Sequence, residues 1–173
     1  MLIALVVIAV AFFVFLLVRD DDAPSPRVLE IPSEWVAFTA SDGSVSAEFP
    51  QPPTEDEQGL ALEGGGAVDV AMYLDENADW SFVLMVSDAD AELELARVAG
   101  GIALDLGGAV VAQEPAQFAG TDAIDVTIEA PGKTWYGTAA IVDGRVVVVE
   151  HGAANPDRDD FERFRDSVAL NDP

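Results

Sequence analysis

The stretch "TWYGTAAIVDGRVVVVEHG", residues 134–152, decides the fold of this chain. Asp143-Gly144 is typical of a two-residue β-hairpin, because both residues tolerate the positive φ angles that such a turn needs. The strand after the turn contains four consecutive valines, 146–149. Such a run is typical of a strand that is covered on both faces. We therefore predict an antiparallel sheet with other elements packed on it.

Further strands and turns surround this hairpin. Near the start of the chain, Ser-Asp-Gly at 41–43 predicts a turn between a strand that begins at Trp35 and a second strand. The alternation of apolar and polar residues over 45–49 predicts one buried face, and Pro50 ends the strand because proline cannot extend a hydrogen-bonded ladder. The same alternation predicts strands at 67–74, 80–87 and 123–129, whereas the polar residues 54–59 are interpreted as a loop.

One helix is predicted in the middle of the chain. Ser87 or Asp88 can cap its start, and Gly107-Gly108 can end it. Gly100-Gly101 inside the helix costs about 1 kcal/mol per residue relative to alanine, so we expect the helix to approach the sheet closely there. The prediction depends on apolar residues at helical spacing, which are Ala91, Leu95, Val98, Ile102 and Leu106.

A second helix is predicted near the end of the chain, with Asn155 as N-cap and Pro156 as the first helical residue. Phe161, Phe164 and Val168 form its apolar stripe, which should pack on the sheet. The order of strands, helix, strands and helix predicts an α+β fold. In this fold two main helices pack on an antiparallel sheet, and one N-terminal transmembrane helix precedes them.

The first 18 residues are apolar without interruption, and Arg19 follows them. At the rise of an α-helix they would span about 27 Å, which is close to the thickness of the hydrocarbon core of a bilayer. We therefore predict a single-pass transmembrane anchor at 1–18. A cleaved signal peptide is the alternative, although its apolar segment is usually shorter and preceded by basic residues. Residues 19–34 are interpreted as an acidic, proline-rich linker, and residues 35–173 as the folded domain.

The orientation of this anchor depends on few residues. Arg19 and Arg27 both follow the apolar segment, and by the positive-inside rule they favour a cytoplasmic domain. Three aspartates at 20–22 lie beside Arg19, however, and an N-terminal anchor commonly exports the long domain that follows it. We therefore predict a protein of the cell membrane with an extracytoplasmic C-terminal domain.

Composition excludes several classes of function. The formal net charge is −24, and so acidic a surface repels phosphate backbones, which argues against nucleic acid as a partner. The acidity is either a compositional property of the source organism or a functional feature. Cysteine is absent, which excludes disulfides, thiol nucleophiles and cysteine-based metal sites.

Three parts of the sequence together resemble a known group of proteins. They are the opening W-x-x-F-x-x-x-D-G-x-x-S-x-x-F-P-x-P-P over 35–53, the helix that closes on Gly107-Gly108, and F-x-x-F-x-x-S-V-x-L over 161–170. The chain resembles PsbP-like domain proteins, which are small membrane-anchored or lipoprotein-type bacterial domains similar in fold to PsbP of photosystem II and to mycobacterial LpqN-type lipoproteins. The resemblance implies a non-enzymatic accessory or binding domain. The chain departs from the pattern at Val168, where an aromatic residue is expected, and in lacking the lipobox cysteine.

Few residues are candidates for a site. His151 is the sole histidine and is interpreted as a surface residue, since Glu150 should point to the opposite face of the strand and cannot orient it as a base. Trp80, Trp135 and Tyr136 could line a ligand groove between sheet and helix, and core packing is the alternative role. The acidic residues 87–94 lack the glycine of a calcium loop, so no metal site and no cofactor are predicted.

Two functions remain open from the sequence, and a hydrolase that works by carboxylates or a metal is a poor third, since the chain has one histidine and no cysteine. The first is a non-enzymatic accessory or interaction domain that is held at the membrane by residues 1–18 and binds an unknown protein partner. The second is a small-ligand or lipid-binding module that uses a pocket between sheet and helix. A pocket lined by Trp80 or Trp135 would favour the second function over the first.

Overall fold

The computed structural model describes residues 29–64, 66–88 and 94–171. Within these residues the chain forms ten strands and two helices. The strands are β1 (Val36–Thr39), β2 (Val45–Phe49), β3 (Thr54–Ala61), β4 (Ala67–Glu76), β5 (Trp80–Asp88), β6 (Ala109–Phe118), β7 (Thr121–Ala130), β8 (Lys133–Val142), β9 (Arg145–Ala153) and β10 (Ala169–Leu170), and the helices are α1 (Leu95–Asp105) and α2 (Arg158–Ser167).

Seven strands form the main sheet, in the order β3-β4-β5-β9-β8-β7-β6, and β1-β2-β10 form a smaller sheet. Every pairing is antiparallel. The β8–β9 hairpin has the predicted turn, since φ is 52° at Asp143 and 76° at Gly144. The predicted antiparallel sheet with two helices is therefore confirmed, although the domain is richer in strands than the sequence indicates.

The main sheet is covered on both faces. Val146 and Val148 belong to the hydrophobic cluster under α1, whereas Val147 and Val149 belong to the cluster under α2 and the small sheet. All four valines are about 1% exposed. The expectation of a strand with two buried faces is thus confirmed, and β9 lies at the centre of a three-layered domain.

Helix α1 approaches the end of β3 as closely as its glycines allow. A Cβ atom on Gly101 would collide with the carbonyl oxygen of Ala61, and one on Gly100 would collide with the Glu63 side chain. The expected close approach is therefore confirmed. The helix ends at Asp105, and Gly107, two residues later, has a φ of 63°. The predicted caps are wrong: Ser87 and Asp88 belong to strand β5, and the N-cap is Glu94, which makes no side-chain capping hydrogen bond.

Helix α2 packs on the other face of the sheet. It begins two residues later than the predicted Pro156 start, because Asp157 rather than Asn155 is the N-cap and accepts a hydrogen bond from the Asp159 N–H at 2.9 Å. Phe161 and Phe164 are fully buried, as predicted.

The predicted loop at 54–59 is wrong, because these residues belong to β3 at the edge of the main sheet. Residues 54–59 are all exposed. Charged side chains on an edge strand discourage pairing with another chain, and their exposure removes the alternation by which a strand is recognised in sequence.

The predicted anchor at 1–18 and most of the linker lie outside the described residues. In the parts of the chain that the structure does describe, neither helix has the length and apolar character that crossing a bilayer requires. From residue 29 onward the chain contacts the domain: the Leu29 N–H donates to Asp79 Oδ2 at 2.9 Å, and Trp35 Nε1 donates to the carbonyl of Pro32 at 3.0 Å.

Candidate functional site

A cleft of about 410 Å³ lies between the main sheet and α1, and we call it the α1 cleft. Its volume falls in the range of small-molecule sites, which is about 300–1,000 Å³. Its lining is predominantly apolar and comes from five strands, from α1 and from the residue after it. The lining residues are Gln58, Gly59, Leu60, Met72, Leu74, Val83, Met85, Ile102, Asp105, Leu106, Trp135 and Glu150.

Glu150 is the unusual member of this lining. It is 2% exposed, and its Oε1 has no hydrogen-bond partner within the described residues. Burial, and to a smaller extent the negative charge of Asp105, raises the pKa of Glu150 from 4.5 to about 8. The carboxyl group is therefore protonated at neutral pH. A buried polar group without a partner costs free energy, so its position in an apolar cleft requires an explanation.

Two glycines pair with the residues on the floor of the cleft. Glu150 pairs in register with Val83 on one side and with Gly137 on the other. A Cβ atom on Gly137 would lie 3.1 Å from Val126 Cγ2 and at ordinary contact distance, 3.6 Å, from Glu150 Cγ. The indole of Trp135 lies across Gly152, where any Cβ would collide with its ring. The aromatic ring of Trp135 and the buried carboxyl group of Glu150 therefore lie next to each other on one face of the sheet.

Asp105 is the second acid of the α1 cleft and lies at the last residue of α1. Its side chain is exposed, so it is solvated where Glu150 is not. The described residues that line the cleft therefore include two acids and no base. Anionic ligands are disfavoured in such an environment.

A second cleft, of about 400 Å³, lies at the other face of the sheet and includes Trp80 and His151 in its lining. His151 Nδ1 lies 3.2 Å from the carbonyl oxygen of Ser81, which can only accept, so Nδ1 carries the proton. His151 Nε2 and Trp80 Nε1 have no partner within the described residues. Burial lowers the pKa of His151 from 6.5 to about 4, so the ring is neutral.

The prediction that His151 is a surface residue is wrong. The ring is 0% exposed and stacks on Phe82, with 4.2 Å between ring centroids and 9° between ring planes. The structure places the other candidates apart: Trp80 lines the second cleft, Trp135 lines the α1 cleft, and Tyr136 packs on Phe161 at 6.0 Å between centroids.

The sequence reasoning missed Glu150 as a candidate, although it placed Glu150 and His151 on opposite faces. The signal was available in the strand itself. A carboxyl group that directly follows four valines, in a strand with both faces covered, has little chance of reaching solvent.

The two buried titratable groups of β9 cannot act together. Glu150 lines the α1 cleft and His151 lines the second cleft, so the sheet separates the acid from the imidazole. The described residues contain no cluster of three or more groups that could ligate a metal ion. The α1 cleft brings together an apolar surface, the ring of Trp135 and the carboxyl groups of Glu150 and Asp105.

Comparisons with known proteins give the class of fold. No family model matches the chain, and no curated protein is significantly similar in sequence. The solution structure of cyanobacterial PsbP (CyanoP) from Synechocystis sp. PCC 6803 matches it with a TM-score of 0.53 at 11% identity, covering 83% of this chain and 95% of that chain. The predicted PsbP-like fold is therefore confirmed. At this identity the likeness concerns the fold alone.

Proposed function

We propose that this protein is a membrane-anchored, extracytoplasmic accessory domain that binds a small, largely apolar ligand in the α1 cleft without transforming it. The observation that carries the proposal is Glu150, a buried carboxyl group without a hydrogen-bond partner among the described residues, in a cleft lined mainly by apolar side chains. Buried polar groups in native proteins nearly always have a partner. A ligand with one polar end would supply it.

The shape of the cleft supports a ligand of modest size. Apolar side chains approach from the sheet and from α1, and Trp135 provides a flat face next to Glu150. Sites for small molecules typically combine such an apolar surface with a few polar groups that fix the ligand's orientation. The separation of Glu150 from His151 by the sheet supports binding over catalysis, because the described residues place no base beside the acid.

The test compares what is bound in the cell by the parent and by a variant with a filled cleft. Leu74 lines the cleft and is only partly buried, so Leu74→Trp should fill the space without compressing the core. Val111→Trp is the matched control, because Val111 is 52% exposed and is not part of the cleft. The full chains are purified from membranes, and their small molecules are extracted and compared by mass spectrometry.

We expect one compound to accompany the parent and Val111→Trp and to be lost from Leu74→Trp. The same small-molecule content in all three proteins would contradict a ligand in the α1 cleft.

The proposed accessory role also includes a protein partner at the membrane. The resemblance to exported accessory domains of the LpqN type and the apolar segment at 1–18 support it. Affinity capture of the full chain in mild detergent tests this part. If Leu74→Trp still captures the same specific partner, the surface that binds the partner is distinct from the α1 cleft.

A further inference from the structure

The chemical class of the ligand follows from the charges and surfaces of the α1 cleft. We propose that the cleft takes an apolar amine, whose hydrophobic body fills the space under α1 and whose single protonated nitrogen pairs with the carboxylate of Glu150. This inference rests on the proposed function, since it names the ligand of the same site.

The first reason is the sign of the charges. Glu150 and Asp105 are acids, and none of the described lining residues is a base. A carboxylate or phosphate ligand would have to lie against Glu150 with no cation among the described lining residues to neutralise it, which is costly in an environment of low dielectric constant. The formal net charge of −24 also raises the local concentration of cations around the protein.

The second reason is the surface that surrounds Glu150. The indole of Trp135 is the aromatic face on which a cation is attracted by the ring electrons. Met72 and Met85 supply polarisable thioethers, which adapt to apolar ligands of different shapes. Lys133 Nζ lies 5.7 Å from the centroid of the same ring. Lys133 donates a hydrogen bond to Ser81 Oγ at 2.9 Å and is not among the lining residues.

The proton balance of binding is simple. In the empty cleft the Glu150 carboxyl group is protonated at neutral pH, because burial raises its pKa to about 8. When a protonated amine binds, Glu150 releases its proton to solvent, and the ligand N–H donates a hydrogen bond to the carboxylate. Asp105 on α1 is the other titratable group of the cleft, and β3, β4, β5 and β8 present neutral side chains there. Binding should therefore tighten as the pH rises towards 8.

The three methionines of the chain allow a direct test. Met72 and Met85 line the cleft, whereas Met1 is the first residue and serves as an internal reference. The full chain is labelled with ¹³C-methyl methionine in phospholipid nanodiscs, and its methyl signals are followed by NMR. The probes share one apolar body and differ in the polar end: 2-phenylethylamine, 2-phenylethanol and 3-phenylpropanoate. Empty nanodiscs correct for partitioning into lipid.

We expect the amine to shift the Met72 and Met85 signals and to bind about tenfold more tightly than the alcohol, because a charge-assisted hydrogen bond is the stronger one. Glu150→Gln should remove this preference and the pH dependence. Glu129→Gln, which removes an exposed acid, should retain both.

The outcomes separate the inference from the proposed function. If the alcohol or the acid binds at the methionines as tightly as the amine, the class of ligand is wrong and the binding function stands. If Glu150→Gln binds the amine as well as the parent does, Glu150 is not the partner and the inference fails. If no probe shifts Met72 or Met85, both the inference and the proposed site are contradicted.

Discussion

Replacing Glu150 with glutamine should stabilise the protein, and the gain should depend on pH. Glutamine has nearly the shape of glutamic acid, so Glu150→Gln preserves the packing against Val83 and Gly137. It removes the pH-dependent part of the cost of the native residue, which is the tendency of a carboxyl group to ionise in water. The difference in unfolding free energy between variant and parent therefore measures the cost of burying this acid.

The magnitude follows from the pKa of Glu150, which burial raises from 4.5 to about 8. Between these values the folded protein binds more protons at this site than the unfolded chain does, so the stability of the parent falls as the pH rises. The slope should be about 1.4 kcal/mol per pH unit, and the complete interval corresponds to about 5 kcal/mol as an upper estimate. The advantage of the variant should be small near pH 4.5 and about 3 kcal/mol at neutral pH.

The assay is urea unfolding of the full chain in a mild non-ionic detergent, repeated from about pH 5 to about pH 8. Other titrating residues, including Asp75 and His151, are common to both proteins, so their contributions cancel in the difference. Glu129→Gln controls for the loss of one negative charge from the surface. A difference between Glu150→Gln and the parent that does not change with pH would refute the reasoning, because it would mean that Glu150 is ionised and solvated in the folded state.

Three further predictions concern the packing around the sheet. Phe164→Ala should lower the unfolding free energy by about 3–5 kcal/mol, because Phe164 is fully buried, whereas Arg163→Ala should cost less than about 1 kcal/mol in the same denaturation assay. Gly101→Ala should be more destabilising than Gly107→Ala. The Cβ atom at 101 would collide with the backbone carbonyl of Ala61, whereas alanine at 107 costs only about 1–2 kcal/mol for its positive φ. Equal melting temperatures of the two variants would contradict the close contact of α1 with β3. Burial lowers the pKa of His151 from 6.5 to about 4, so the unfolded chain takes up this proton at a higher pH than the folded protein does, and the parent should lose stability as the pH falls from about 6.5 to about 4. His151→Phe should remove this part of the pH dependence. If the unfolding free energy of His151→Phe changes with pH as steeply as that of the parent, the imidazole is not buried in its neutral form.

The main sheet could be predicted because its strands obey simple patterns. Asp143-Gly144 predicts a hairpin turn because both residues tolerate positive φ angles, and the four valines that follow predict a strand with two buried faces. Helix α1 and its terminal glycine could be predicted from helical spacing for the same reason. Strand β3 could not, because an edge strand with polar side chains on both faces has no periodicity to detect.

The candidate site was harder to predict because it depends on which faces are covered. His151 looked like a surface residue, and only the packing of α2 and the small sheet over β9 buries it. Glu150 was placed on the correct face, but the space beneath α1 depends on the height of the helix, which is set by the contact of Gly101 with Ala61. Trp135 was a candidate from residue type, and its position across Gly152 becomes clear only once the β8–β9 register is known.

The two faces of the main sheet bury different kinds of side chain. The face under α2 contains a dense set of aromatic contacts, with ring centroids 4.8 Å apart for Phe49–Phe164, 5.1 Å for Trp35–Phe82 and 5.3 Å for Phe82–Phe164. The face under α1 contains aliphatic and methionine side chains, Trp135 and the cleft. A domain has about 5–15 kcal/mol of total stability, so the cost of the buried acid is a sizeable fraction of it, and both hydrophobic clusters offset that cost.

Ligand binding and the stability of the folded protein are coupled through Glu150. A ligand that binds only the folded protein stabilises it in proportion to the logarithm of its concentration over Kd. An amine that pairs with Glu150 should stabilise the folded protein more at high pH than at low pH. At high pH the buried carboxyl group of the ligand-free protein lowers the stability, whereas at low pH the group is protonated in both the folded and the unfolded protein. The same amine should therefore raise the melting temperature of the parent more at about pH 8 than at about pH 6. In Glu150→Gln, which has no proton to release, any shift should be equal at both values.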